Sequence, residues 1–304
     1  MILATTTSDF ECVSDHIQRV ECLYQAGFRY VDLSMYTIFS GDPLFADGWE
    51  DYALDLKAYA AERGMTFVQA HGPNVNNFKG EEGFADAVWK TRRGLEVCQL
   101  LGIPNMVVHP GWSRDVSDRE TWFAENRRFY SAMFADMERC GVNILCENST
   151  RVNLPASAYY LITGEEMRAF IDFVDHPRFG GCWDTGHANV EGNQYDEIVA
   201  LGDKLYAIHF NDNRGKQDEH IIPYMGTMNV DEVMHALLDV GYKGVFTFEC
   251  DSPLRPANYW LGNRRGFDRA NGLANPPMEL RVEMEKFMYR VGRHILTAYG
   301  LFEG

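Results

Sequence analysis

The sequence predicts a closed (β/α)8 TIM barrel, a single domain over residues 1–304. Three observations carry this prediction. A chain of 304 residues is long for one ordinary domain but usual for eight βα units. Five times a helical pattern stops at glycine and an apolar strand follows at once: "AGFRYVDL", "RGMTFVQAH", "LGIPNMVVH", "CGVNILCEN" and "VGYKGVFTFE". Glycine just past a helix takes the left-handed turn without a Cβ penalty. Finally, eight short apolar stretches alternate with helical ones, near residues 2–6, 30–35, 65–71, 105–110, 142–148, 179–185, 205–211 and 244–250. Such alternation implies a parallel sheet. An open doubly wound sheet would carry a phosphate-binding glycine fingerprint after its first strand, and "TTTSDF" has none.

The elements between the strands have their own local causes. Ser8 with Glu11, Ser117 with Glu120 and Thr163 with Glu166 have capping-box spacing, a hydroxyl and a carboxylate three residues apart serving the orphan amides of a helix start. Phe10, Val13, Ile17, Val20 and Tyr24 form one apolar stripe at helical spacing, and Met284, Phe287, Met288, Val291 and Ile295 form another. Both are expected to face the core. No linker or low-complexity run divides the chain.

Composition removes several classes. Hydrophobic residues make up 46% and charged residues 24%, enough apolar material for a large core. "MILATTTSDF" has neither the basic start nor the apolar run of a signal peptide, and no apolar stretch is long enough for a membrane span. Seven cysteines, an odd number without CxxC pairs, suit a reduced, cytoplasmic protein rather than a disulfide framework. A net charge of −16, with no basic cluster beside the strand-end loops, argues against nucleic acid as a partner.

Chemistry is expected where the strands end. Asp32, His71, His109, Glu147, Asp184, His209 and Glu249 close successive strands, 25 to 40 residues apart. In a barrel all these ends surround one mouth, where enzymes of this fold keep their sites. Any one histidine there is an ordinary loop or core residue, and Asp32 reads as a cap of the following segment, so it stays outside the site. Glutamates are seldom buried unpaired, however, and the whole set falls on one rim. So many desolvated charges need compensation, and one divalent cation supplies it. Glu147, Asp184, His209 and Glu249 form an oxygen-rich set suited to Mn2+, Mg2+ or Co2+, with Zn2+ also compatible. His71, His109, His187 and the Asp218–Glu219–His220 segment are left to bind substrate hydroxyls or further metals. Cys146 and Cys250 flank glutamates and so point outward, while Cys182 lies a layer deeper than Asp184. All three read as small hydrophobes. In "FGGCWDTGHANV" Thr185 and Gly186 are expected to turn the chain so that His187 meets the same pocket as Asp184.

The segments "ILCEN", "CWDTGHAN", "AIHFNDN", "DEH" and "GVFTFE" together resemble, in order and spacing, the xylose-isomerase-like barrels: sugar and sugar-phosphate isomerases, epimerases and inosose dehydratases. The resemblance implies one metal held by Glu147, Asp184, His209 and Glu249, and a substrate contact at His187. The same superfamily includes apurinic endonucleases with three zinc ions, whose ligand positions correspond to His71, His109, Glu147, Asp184, His187, His209, Asp218, His220 and Glu249. All nine are filled here. "IIPYMGTMN" stands where relatives often carry a Gly-Glu-Gly turn.

For a small-molecule sugar the ligand set implies proton transfer through an enediolate, with Glu147 and Glu249 flanking the carbon from different sides. One takes the proton and the other returns it, or both share the task. The outcome is isomerisation, epimerisation or dehydration according to where the proton returns or what departs. Trp112 in "HPGW" is a candidate to pack a sugar face, or else a core aromatic. Arg151 and Arg214 lie in loops after strands five and seven, as phosphate contacts or as solvated charges. The segment 251–277, before the last helix, reads as a lid or as a contact to a second copy in a homo-oligomer.

Overall fold

The computed structural model describes residues 1–250, 254 and 276–303. Eight parallel strands close into a barrel in chain order: β1 (Leu3–Thr6), β2 (Tyr30–Ser34), β3 (Thr66–His71), β4 (Asn105–Val107), β5 (Asn143–Glu147), β6 (Phe179–Asp184), β7 (Leu205–Phe210) and β8 (Phe246–Phe248). β8 returns to β1 with Leu3 opposite Phe246 and Thr5 opposite Phe248, so closure removes the sheet edge. The register shifts twice, between Val31 and Asp32 where β2 meets β3, and between Gly181 and Cys182 where β6 meets β7. These irregularities re-aim side chains near the barrel mouth.

All eight expected strands form, but β4 and β8 have three residues each, shorter than expected. Beyond Val107 the chain runs to Pro110, which has no N–H for the ladder. Before Phe246, the Tyr242 hydroxyl donates to the Val245 carbonyl at 2.9 Å and holds that stretch in a turn.

Helices α1 (His16–Ala26), α2 (Trp49–Glu62), α3 (Gly80–Leu101), α4 (Arg119–Ser131), α5 (Phe134–Cys140), α6 (Gly164–Val174), α7 (Thr185–Glu191), α8 (Tyr195–Leu201), α9 (Val230–Asp239) and α10 (Met278–Ala298) lie between and after the strands. The five expected stop glycines, Gly27, Gly64, Gly102, Gly141 and Gly241, all have φ between 65° and 108°. Of the three expected capping boxes only Thr163–Glu166 forms. Asp118, next to Ser117, caps α4 instead and accepts from the Thr121 amide, its charge adding to the attraction of the helix start. Ser8 lies within a short 3-10 turn, Thr7–Phe10, where Thr6 caps.

The main core fills the space between sheet and helices. Of the expected α10 stripe, Met288, Val291 and Ile295 are buried, but Phe287 is exposed. The buried face instead runs through Val282, Glu285, Met288, Gly292 and Ile295, because Gly292 lets the helix approach β1. A Cβ there would lie 2.6 Å from the Leu3 side chain. All seven cysteines are free. No helix among the described residues is long and apolar enough to cross a membrane. The expected lid or subunit contact at 251–277 falls, apart from Leu254, Pro276 and Pro277, outside the described residues.

Candidate metal centre

Inside the barrel, Val107, Leu145, Cys182 and Ala207 form an apolar layer. Two residues further along the same strand lines stand His109, Glu147, Asp184 and His209, so strand alternation turns them to the same side. The charged layer therefore rests on an apolar floor. Cys182 belongs to that floor, while Cys146 and Cys250 pack into the outer core, as alternation requires.

Glu147 is the hub. Its Oε2 is 2.8 Å from His109 Nε2 and its Oε1 is 3.1 Å from His209 Nδ1. Glu249 reaches the same His209 nitrogen at 3.3 Å. Asp184 is fully buried and held from three directions. Its Oδ1 accepts from the His187 amide at 2.6 Å, its Oδ2 accepts from Asn211 at 2.7 Å, and the Asn148 side chain bonds both the Asp184 amide and its carbonyl.

His187 joins this group by a different local route from the one expected. Thr185 and Gly186 are not a sharp turn; they open α7, which Asp184 caps. The first turn of that helix brings His187 back over Asp184. Gly186 is needed because Asn211 lies against it: a Cβ would fall 1.8 Å from Asn211 Oδ1.

A second tier surrounds the hub. His187 Nε2 is 3.1 Å from Asp218 Oδ2, and His220 Nε2 is 3.0 Å from Asp218 Oδ1. Asn153 donates to the same Asp218 carboxylate at 2.8 Å. His220 has φ 47°, an uncommon backbone state for a non-glycine residue that recurs at functional sites. His71 Nε2 meets His109 Nε2 at 3.1 Å and Glu147 Oε2 at 3.7 Å. Above them opens a cavity of about 700 Å³ whose walls include Tyr36, Trp112, Tyr160, Glu147 and Glu249. Trp112 is half-buried, one side against the core and the other in the cavity.

The sequence-predicted residues come together at the mouth except Glu219, which turns to Arg214 instead. Arg151 and Arg214 do not join them: they are exposed and paired with Glu191 and Glu219. The cavity wall does include Lys79. Sequence reasoning missed three buried polar residues. Asn148 and Asn211 brace Asp184, and their signal was adjacency to site residues in "CEN" and "HFN". Asp32 is not a cap; it accepts from Gln69 at 2.7 Å and lies 3.5 Å from His209 Nε2.

Burial opposes every charge here, and the neighbours decide which survive. Burial pushes the Glu147 carboxyl up, but His209 and His109 carry it well below the usual carboxylate range. Asp218 goes the same way against burial, through His220 and His187, as does Glu249 through His209. For Asp184 burial prevails and raises it to about 6. Burial would lower the imidazoles, but Asp184 and Asp218 lift His187 to about 10, and Asp218 lifts His220 to about 10. Burial wins at His109, which is lowered. The imidazolium ions are the positive charge this cluster of acids requires. A cation can take over that task, since ligation needs neutral imidazoles and ionised carboxylates.

The donor atoms fit such a cation. One oxygen or nitrogen from each of Glu147, Asp184, His209 and Glu249 lies within 4.8 Å of the others. The same holds for His71, His109 and Glu147, and for Asp184, His187 and His220.

A closed parallel barrel with acids and imidazoles gathered at the strand C-termini has the layout of a βα-barrel enzyme. The chain belongs to the xylose isomerase-like TIM-barrel family, whose model matches residues 20–268. It is similar to L-ribulose 3-epimerase of Methylomonas sp. (strain DH-1), 37% identical over 233 residues that cover 74% of each chain. Probable endonuclease 4 of Citrifermentans bemidjiense is 28% identical over 204 residues, 61% of this chain and 70% of that one. The crystal structure of D-psicose 3-epimerase with D-tagatose from Clostridium cellulolyticum H10 matches in fold, with TM-score 0.76 at 20% identity over 97% of this chain and 99% of that one.

Proposed function

We propose that this protein is a metal-dependent isomerase or epimerase of a small sugar, working by proton transfer through an enediolate. One observation carries the reading. The carboxylates of Glu147 and Glu249 come within 4.8 Å of each other, in one group with Asp184 and His209, and both line a cavity of about 700 Å³. That volume suits a small ligand. The relative with 37% identity is named for 3-epimerisation of L-ribulose, which is chemistry of this class.

Glu147, Asp184, His209 and Glu249 would hold the ion. When bound, a divalent cation supplies charge that acidifies the carbon next to a carbonyl and stabilises the enediolate. Mn2+, Mg2+ and Co2+ suit three carboxylates and one imidazole, and Zn2+ is compatible. Glu147 and Glu249, delivered by β5 and β8 from different sides of the mouth, divide the proton transfer. The ionised carboxylate of one takes the substrate proton, and the other returns a proton that it has first drawn from solvent, or the two share the task. Both are held ionised by His209, as a base must be. His187, His71, His109, Asp218 and His220 hold substrate oxygens, and Trp112 packs against the sugar ring. We treat residues 1–304 as one domain, and the seven free thiols suit a reducing, cytoplasmic setting.

A second reading, a three-zinc phosphodiesterase like the endonucleases, is favoured by the several overlapping donor groups at the mouth among the described residues. Metal content separates the two. One tightly bound divalent ion per chain, together with solvent-deuterium incorporation beside the carbonyl of a ketose in D2O, supports the sugar reading. Three zinc ions and cleavage of abasic DNA would overturn it, as would absence of exchange across ketoses, inososes and their phosphates.

A further inference from the structure

Three of the mouth histidines share one design. The Nδ1 of His71, His187 and His220 lies 3.0, 2.9 and 2.9 Å from the carbonyl oxygens of Gly72, Asn148 and Glu249 respectively. A carbonyl only accepts, so Nδ1 carries a proton in each case, and Nε2 turns into the mouth, to His109 in His71 and to Asp218 in His187 and His220. His209 is turned the other way round. Its Nδ1 faces Glu147 and Glu249, while its Nε2 lies 3.5 Å from Asp32 Oδ2.

Asp32 is an expensive residue to keep there. It is 1% exposed, inside the barrel, and its Oδ1 has no hydrogen-bond partner among the described residues. Its Oδ2 is fixed by Gln69 Nε2 at 2.7 Å. The shift in register between Val31 and Asp32 sets Asp32 opposite Gln69. Burying a carboxylate with so few donors is unfavourable by itself, and an apolar residue would fill the interior at less cost. A carboxylate behind a ligating imidazole, by contrast, fixes the tautomer and makes the ring a stronger ligand.

We propose that Asp32 is a positioning residue, whose carboxylate holds His209 as the Nε2–H tautomer and directs the Nδ1 lone pair to the divalent cation. The inference rests on the metal site proposed above for Glu147, Asp184, His209 and Glu249. It adds a role for a residue that touches neither substrate nor ion. Asp32 differs from the Nδ1 partners of the other three histidines in being a side-chain carboxylate rather than a backbone carbonyl.

The test uses the full chain stripped of metal, titrated with Mn2+ and read by the electron paramagnetic resonance of the free ion. Asp32→Ala should weaken Mn2+ binding by roughly 10–100-fold, and the near-isosteric Asp32→Asn by a smaller factor within that range. Nitrogen-15 histidine spectra of the zinc-loaded protein supply a readout that a packing role does not move. Wild type should show His209 protonated at Nε2, and Asp32→Ala should lose that signature. Mn2+ binding by both variants at wild-type affinity, with the His209 tautomer unchanged, overturns the inference. A variant that loses only thermal stability marks Asp32 as a packing residue and overturns it equally. Failure of wild type to bind Mn2+ or Zn2+ at all is a different result, sinking the metal site and this inference together.

Discussion

At the scale of single residues, the site depends on acids that stay ionised while buried. Glu147 and Glu249 are the sharpest case, since each is expected both to ligate and to move a proton. Exchanging either for glutamine keeps an oxygen and the shape but removes the base. Glu147→Gln and Glu249→Gln should each lower deuterium exchange into a ketose by about 10²–10⁴-fold, with an unchanged circular dichroism spectrum. Asn211 makes a different contribution. It donates to Asp184 Oδ2 at 2.7 Å in a fully buried setting, and removing it leaves that oxygen a donor short. Asn211→Ala should cost about 1–3 kcal/mol, measured by urea unfolding of the metal-free protein. The ligand-type residues were readable from sequence because each ends an apolar strand. Asn148 and Asn211 were not, since an asparagine beside a strand end looks the same whether it braces a carboxylate or faces water.

At the scale of elements, α7 shows how little sequence distance the site needs. Asp184 ends β6 and caps the next helix, and one helical turn returns His187 to its side. That geometry requires a residue without Cβ at position 186, because Asn211 occupies the space. Gly186→Ala should destabilise the protein by about 1–3 kcal/mol and lower its melting temperature by several degrees. A melting curve matching wild type would show that Asn211 can yield without cost. The strands were legible from period and punctuation, but their lengths were not. β4 and β8 came out shorter than expected because Pro110 and the Tyr242 turn act on the ladder. Phe287 moved out of the α10 stripe for a similar reason, as the close approach of Gly292 to Leu3 sets the rotation of the helix.

At the scale of the whole molecule, closing the barrel concentrates charge. His187 and His220, lifted to about 10 in the folded metal-free protein, titrate near 6.5 when unfolded. Groups raised in this way stabilise the fold fully below about pH 6.5, and that contribution is lost as pH rises through about 10. Asp184, raised to about 6, acts in the same direction at lower pH. The lowered carboxyls of Glu147, Asp218 and Glu249 act the opposite way, on acidification. The melting temperature of metal-free protein should therefore fall between pH 6.5 and 10. A saturating divalent ion should reverse much of that fall, adding about 2.7 kcal/mol at a hundred times its dissociation constant. Calorimetry in buffers of different ionisation enthalpy should register proton release on metal binding at pH 7.5. A flat stability profile for the metal-free protein would mean that the imidazoles do not carry the compensating charge.

Sequence by itself determined the (β/α)8 class and the ring of acids and imidazoles at the strand ends. Both rest on local rules: glycine stops, apolar strands of limited length, and an alternation of period two that sends every second side chain inward. The tertiary structure alone decided which atoms meet. Barrel closure brought residues from Asp32 to Glu249 around one mouth, and the shift in register between β2 and β3 set Asp32 opposite Gln69 and within reach of His209. It also decided the protonated nitrogen of His187 and of His220, through carbonyl acceptors 39 and 29 residues away in the chain. Register and long-range hydrogen bonds depend on how separate strands dock, and no pattern within one strand encodes that.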